Sequence, residues 1–416
     1  MKINEIKNLG KWLVVERLLR LANGIIIYAA IAKHLGPSDF GNLNVAIGMI
    51  SILSALPSMG AEHINISEIK RKNTPTKEFI GSAILVRLAL SIPSLIGAAI
   101  LCNLYKETAP FVIALLIQIP ISALSISNQK LQADGNFVIY SKYSCCSIII
   151  SAGIKILGLL TEQPAIFFAW TIPLEPLLLL ALTIKHSGGS KFFISCGKNA
   201  KTKSIKLYLR TCQPLTISSV LVAVYFKIEI ILISDWINDA AAGQWSLATL
   251  TITPWMLAAA AVFPIINNQL ASKNINSNEY RENLKKAVRI SLGVGVLAII
   301  SNYFFYKHVL TKIMGEGYQD LELIVAIASV SIIPMLVGGI QEISIAHRRF
   351  TGVVLKKVLI GIPLSITLLK IMTLNFGILG AALSVTASYI FTALVLNCFF
   401  DKHFHKIVKE SFFISR

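Results

Sequence analysis

Twelve apolar stretches, each about long enough to cross a bilayer, constrain this chain more than any other feature. They cover 12–32, 40–61, 79–103, 108–127, 137–160, 164–184, 212–234, 244–267, 288–306, 321–345, 357–374 and 377–400. A spanning helix needs ~20 such residues, and backbone inside hydrocarbon must satisfy its own hydrogen bonds. The stretches are too long and too evenly apolar for the alternating strands of a membrane barrel. Only 14% of the residues are charged while 55% are hydrophobic, against roughly 25% charged in soluble domains. So few charges cannot coat a water-soluble surface of this size. An all-α integral membrane protein is the class that remains.

The basic residues orient it. With the N-terminus in the cytoplasm, 28 of the 39 Lys and Arg fall in cytoplasmic ends and loops, and 7 lie within spans. Four, Lys33, Lys106, Lys307 and Lys312, fall outside. This asymmetry follows the positive-inside rule and predicts both termini in the cytoplasm. It also accounts for the net charge of +18 without nucleic acid as a partner. The longest inside loop, 185–210, holds seven basic residues and divides the chain. The expected organisation is an N-terminal six-helix lobe over 1–190, a basic cytoplasmic linker over 191–210, a C-terminal six-helix lobe over 211–400 and a solvated basic tail over 401–416.

The two halves echo each other. Gly36-Pro-Ser-Asp-Phe-Gly41 follows the first span and Asp239-Ala-Ala-Ala-Gly243 follows the seventh, each glycine standing at the same interval before the next apolar run. Gln129…Phe137 and Gln341…Phe350 form a second such pair. Six-plus-six repeats are common in transporters with a midplane site. Prolines are frequent inside the spans, and Pro173 and Pro176 bracket Glu175 as a candidate hinge. Trp12, Trp236 and Trp245 at span ends predict an interfacial belt. The six cysteines and seven histidines show no metal spacing, and there is no phosphate-binding loop or hydrolase elbow. No cofactor, no metal and no catalytic group is expected, and the chain does not read as an enzyme.

Charges within the spans carry the functional information, because each costs ~2.5–3.5 kcal/mol at the centre of a helix. Lys142, Lys155 and Lys370 lie close enough to span ends to snorkel, since a Lys stem reaches roughly 6 Å. Arg17 is nearly explained the same way. Arg20 and Arg87 lie ~13 Å deep, Lys227 ~12 Å and Glu175 ~18 Å. Arg17, Arg20 and Gly24 share one helix face, and Glu16 sits one turn from Arg20. Two readings stay open: a Glu16–Arg20 pair that only neutralises charge, or a cationic face toward water. Lys227 and Glu229, two apart, point away from each other. The set leans positive, so Arg17, Arg20, Arg87 and Lys227 are candidates for binding an anionic cargo in a central cavity. Glu16, Glu175 and Glu229 are candidates for charge balance or coupling to a proton or sodium gradient.

Several segments resemble one family. They are Ala32-Lys-His-Leu-Gly-Pro-Ser-Asp-Phe-Gly41, Phe226-Lys-Ile-Glu-Ile with Ala242-Gly-Gln-Trp-Ser-Leu-Ala248, Pro254…Phe263-Pro264, Met314-Gly-Glu-Gly-Tyr318 and Phe376-Gly-Ile-Leu-Gly-Ala-Ala382. In order and over nearly the whole length, the chain is similar to O-antigen flippases of the multidrug/oligosaccharidyl-lipid/polysaccharide exporter superfamily. The resemblance implies two six-helix lobes around a central cationic cavity and a location in the bacterial inner membrane. It implies an undecaprenyl-diphosphate-linked oligosaccharide as cargo and membrane lipids as surroundings. The polysaccharide polymerase and chain-length machinery are the implied protein partners. Many relatives have Asp where this chain has Glu229, so the role of the Lys227/Glu229 pair is not carried over. The alternatives are a drug or metabolite exporter of the same superfamily and, from another class, a membrane-embedded glycan polymerase or ligase. Short outside loops argue against the last.

Overall fold

The computed structural model describes all residues except 1–2, 71–75, 272, 276, 311, 313–317, 319–320, 349–351 and 413–416. Among the described residues there are helices and no strands. Nine helical stretches are long and apolar enough to cross a membrane. Two of them, Lys11–Lys70 and Lys356–Val395, each hold two of the predicted spans. They bend where Gly36 (φ 77°, ψ 171°) and Gly377 (φ 57°, ψ −139°) leave the helical region, positions that only a residue without Cβ takes freely. The eighth predicted span appears as two helices, Asp239–Leu250 and Thr253–Ala271, which completes about twelve crossings. Most of the Met314-Gly-Glu-Gly-Tyr318 segment lies outside the described residues.

In each of four spans one break follows from a proline; the further break at Ser125, between Gln118–Leu124 and Ile126–Ala133, has none. Proline at position i removes the bond to the carbonyl of i−4 and clashes with it. Pro120, Pro176, Pro254 and Pro334 have Leu116, Ile172, Leu250 and Val330 at that position, and a helix ends at or just before each of these four residues. Ala165–Thr171 therefore stops before Leu174–His186 begins, and Glu175 sits in the first turn of the second piece.

The chain divides into two compact units. One comprises Met1–Leu35 and Asn42–Ile231; the other comprises Gly36–Gly41 and Leu232–Arg416. The division falls inside the helix Thr202–Trp236, so Lys227 and Glu229 belong to the first unit. Gly36–Gly41 groups with the second because Gly41 meets Asp239 and Gly243 backbone to backbone.

Each unit faces outward with apolar side chains. On Thr76–Leu104, Leu85, Leu88, Ile92, Leu95, Ile96 and Ile100 are exposed, while Ile80, Ala83, Ile84, Arg87, Ser91, Ser94 and Ala98 are buried. An apolar stripe of that length would be an aggregation site in water and is the expected lipid face of a multi-pass protein. Trp245 departs from the expected belt: it is buried in the second unit, where Asp239–Leu250 packs on Leu321–Val330.

The basic tail is also unlike its expectation. Lys402–Phe412 is a helix whose Phe404 and Ile407 join the second unit's core with Tyr280, Leu284 and Ile340. Asp401 caps it, accepting from the Phe404 amide at 3.1 Å while Arg348 donates to both carboxylate oxygens. Glu410 then pairs with Lys285 at 3.0 Å and with Arg281. The Lys285 hydrogen bond, against slight burial, and Arg281 hold the Glu410 carboxyl below the usual carboxylate range. A depressed carboxyl stabilises the folded state above its unfolded pKa, and that contribution is lost as pH falls through the folded value. Limited proteolysis of the solubilised protein should thus leave this helix intact at neutral pH and cut it at pH below about 4. Glu410→Gln should weaken that pH dependence without abolishing it, because the capping Asp401 carboxyl, despite its burial, is also held low by Arg348 and the Phe404 amide.

Candidate functional site

The first unit brings three of the sequence candidates together. Ile3–Ala22 carries Glu16 and Arg20, Phe137–Leu160 carries Ser144, and Leu174–His186 carries Glu175. Arg20 donates from Nη1 to Glu175 Oε1 at 2.8 Å, and from Nη2 to Ser144 Oγ at 3.2 Å and Glu16 Oε1 at 3.4 Å. Ser144 Oγ in turn donates to Glu16 Oε1 at 2.7 Å. The Arg20 side chain keeps 40% of its surface exposed, while the two acids beneath it are more covered. Both terminal nitrogens are thus engaged while the side chain stays accessible. Both open readings of Glu16 are incomplete, because Arg20 is shared between Glu16 and a second acid 155 positions away.

One turn further, the first span widens into a π turn over Asn23–Ile27. Such turns displace the face of a helix by one residue. Asn23 is buried here and accepts from Lys155 Nζ at 3.4 Å, and the same ammonium lies 5.1 Å from the centroid of the Tyr28 ring. Lys155 corrects the snorkelling expectation: it is 3% exposed and turns inward. The reason lies in the packing of its helix. Ser141, Ser144, Ser147, Ser151, Lys155 and Gly158 are all buried, a face of mostly small residues that lets the helix approach the first span closely. That spacing was the available signal, since a stem on such a face has no route to water. Lys155 is not among the sequence candidates, yet Glu175 is close enough to act on it electrostatically.

Arg87 corrects a second expectation. It is 1% exposed and does not face water. Nε donates to the Pro57 carbonyl at 2.8 Å, and Nη2 to the Ser122 carbonyl at 2.7 Å and Ser125 Oγ at 3.0 Å. Tyr28–Ser58 ends one residue after Pro57, and Gln118–Leu124 ends two after Ser122. The last carbonyls of a helix have no intrahelical partner, and a cation there also complements the negative end of the helix dipole. Arg87 closes two helix ends in the interior of the unit.

The remaining candidates stand elsewhere. Arg17 is half-buried on the helix of Arg20. Lys227 is exposed and Glu229 buried, on opposite sides of Thr202–Trp236 as their spacing requires. The stretch around them packs against Gly48, where an added Cβ would lie 3.0 Å from Ile230 Cγ2 and 3.6 Å from the Lys227 carbonyl. Pro173 and Pro176 flank the break that presents Glu175. Among the described residues no group of His, Cys, Asp or Glu is arranged to hold a metal ion. Counting Glu16, Glu175, Arg20 and Lys155 together, the cluster is balanced and not cationic. Arg20 is its most exposed charge.

The model of the family described as polysaccharide biosynthesis protein matches residues 30–323. The chain belongs to this family. The matched stretch includes Arg87, Lys155, Glu175, Lys227 and Glu229, and begins after Glu16 and Arg20. No curated protein matches the sequence. Among solved structures the chain is similar to "Lipid II flippase MurJ, inward closed conformation", with a TM-score of 0.71, 17% identity, and coverage of 97% of this chain and 90% of that one. It is similar to an inward-facing multidrug resistance MATE family transporter of the MOP superfamily, with a TM-score of 0.72, 13% identity, and coverage of 95% and 96%. A third is a MOP superfamily transporter from Pyrococcus furiosus whose binding pocket is described as reversed in polarity, with a TM-score of 0.53, 12% identity, and coverage of 96% and 94%. These likenesses establish the helical fold of the superfamily. They do not fix a cargo.

Proposed function

We propose that this protein flips an anionic lipid-linked oligosaccharide, an undecaprenyl-diphosphate-linked O-antigen or related repeat unit, across the bacterial inner membrane by alternating access. The observation that carries the reading is Arg20 held by Glu16 and Glu175 yet accessible over part of its side chain, in a chain that belongs to a polysaccharide biosynthesis family. A guanidinium offers paired donors to a phosphate. A diphosphate arriving at Arg20 competes with Glu175 for the same nitrogens. The displaced carboxylate then lacks its cation and takes up a coupling ion in its place, which links cargo binding to a proton gradient. The role is non-enzymatic: no bond of the cargo breaks. The polymerase and chain-length machinery act on what is delivered.

Replacing Arg20 tests this. In cells lacking their own flippase, Arg20→Ala should insert normally yet lower surface-glycan assembly by roughly ten- to a hundredfold, the worth of a ~1.5–3 kcal/mol charge-assisted contact. Arg20→Lys should recover only part, because an ammonium lacks the fork. Normal glycan with Arg20→Ala would remove the proposed anion site. Glu175→Gln should leave binding of the lipid-linked cargo intact and abolish the dependence of transport on a pH gradient; unchanged coupling would assign the proton elsewhere. Ethidium efflux by the wild-type protein would favour the drug-exporter reading instead.

A further inference from the structure

Two helices too polar to cross a membrane follow the sixth and the twelfth spans: Gly189–Lys198 in the first unit and Lys402–Phe412 in the second. Both dock in the same way. Gly189–Lys198 crosses the third span so closely that a Cβ on Gly81 would lie 1.9 Å from the Cys196 carbonyl oxygen. Lys402–Phe412 packs on the ninth span, Asn278–Phe305, through Phe404 and Ile407 against Tyr280 and Leu284. Gly81 stands two residues inside the third apolar stretch and Leu284 four residues before the ninth, each within ~6 Å of the hydrocarbon edge. That is the region of the headgroup layer, which adds ~5–7 Å to each side of the hydrocarbon.

The outward faces of the two helices are ordered. On Lys402–Phe412 the buried positions are Phe404, Ile407, Val408 and Ser411, the i, i+3, i+4, i+7 pattern of one face. Lys402, Lys406 and Lys409, at i, i+4 and i+7, are exposed on another. The helix has one acid, Glu410, and it is used by Lys285 and Arg281. No acid among the described residues pairs with the three lysines. Gly189–Lys198 exposes Lys191, Ile194 and Lys198 at i, i+3 and i+7, and Ile194 is 60% exposed. An apolar side chain between two lysines is the composition of a face that rests on lipid.

We propose that these two lysine faces bind the headgroups of anionic phospholipids in the leaflet on the basic side, tying each unit to the membrane surface. Topology alone requires basic residues near span ends in sufficient number. It does not require that they occupy one face of a helix whose opposite face is docked into the protein, or that the only acid be turned inward. The apolar faces are spent on docking, so these helices lie on the membrane without inserting. Lysine heads on ~6 Å stems then reach the phosphates, where each is attracted by the negative surface potential. The inference rests on the multi-pass reading and is independent of the cargo.

The full chain reconstituted in nanodiscs of phosphatidylcholine with phosphatidylglycerol supplies the test, with phosphatidylglycerol as the probe. Wild type should retain bound phosphatidylglycerol on detergent extraction, read by native mass spectrometry, and lose it as salt rises. Lys402→Gln/Lys406→Gln/Lys409→Gln should lower that retention roughly tenfold, with thermal unfolding unchanged because the three side chains are exposed. The triple Lys→Arg variant, which keeps the charge, should restore it. Equal retention in wild type and the triple Gln variant would overturn the proposal. So would retention insensitive to salt, or capture of an acidic soluble protein in preference to phosphatidylglycerol.

Discussion

Arg87→Met should cost the first unit about 1–3 kcal/mol and lower its thermal unfolding temperature in detergent, the worth of one buried orphan acceptor. The change strips the Pro57 carbonyl of its donor, while the Ser122 carbonyl loses Arg87 but still accepts from Ser125 Oγ at 2.8 Å. Methionine has comparable reach but no donors, so packing is largely kept and the loss reports the hydrogen bonds. Arg87→Lys should recover less than half. A single ammonium cannot satisfy carbonyls on two helices and Ser125 Oγ from one point. The distinguishing measurement is transport normalised to folded protein. If Arg87→Met melts like wild type but moves no cargo, Arg87 is a ligand group and its burial has been misjudged. If it melts early and the folded fraction still works, its role at two helix ends stands.

Arg87 also marks the limit of reading depth from sequence. The spans were legible because hydrocarbon imposes a length and a composition, and orientation because lysine and arginine partition by side. Depth sets Arg20, Arg87, Lys227 and Glu175 apart from charges near the ends. It gave no means to tell a charge that faces water from one that closes orphan carbonyls, because those carbonyls belong to Pro57 and Ser122 on other spans. The Arg20–Glu175 pair was equally hidden by its separation along the chain. Lys155 was misplaced for a different reason. Stem length shows how far a lysine reaches and says nothing of direction, which the small-residue face of Phe137–Leu160 decides. The tail 402–412 has the spacing of an amphipathic helix, with Phe404, Ile407 and Val408 on the face opposite its lysines.

Gly41→Ala and Gly243→Ala should each destabilise the second unit by more than ~3 kcal/mol, at or beyond the upper end of overpacking effects. A Cβ on Gly41 would stand 1.8 Å from the Asp239 carbonyl oxygen, and one on Gly243 2.0 Å from that of Pro37. Neither neighbour is a side chain that can rotate away. The contact is reciprocal: Asp239 and Pro37 each stand four residues before the opposing glycine, and each glycine lies against the other's amide nitrogen. That is how two copies of one motif meet about a two-fold axis. It gives the weak echo between Gly36–Gly41 and Asp239–Gly243 a physical cause, since each copy is the other's partner. Gly293→Ala is the control. Nothing lies within 4 Å of its added Cβ, so in a helix interior it should stabilise by ~0.5–1 kcal/mol. The double variant Gly41→Ala/Gly243→Ala should cost less than the two singles together, because the first methyl already parts the backbones that the second would meet. Strict additivity, or melting of either single variant alongside Gly293→Ala, would show that the two turns do not press on one another.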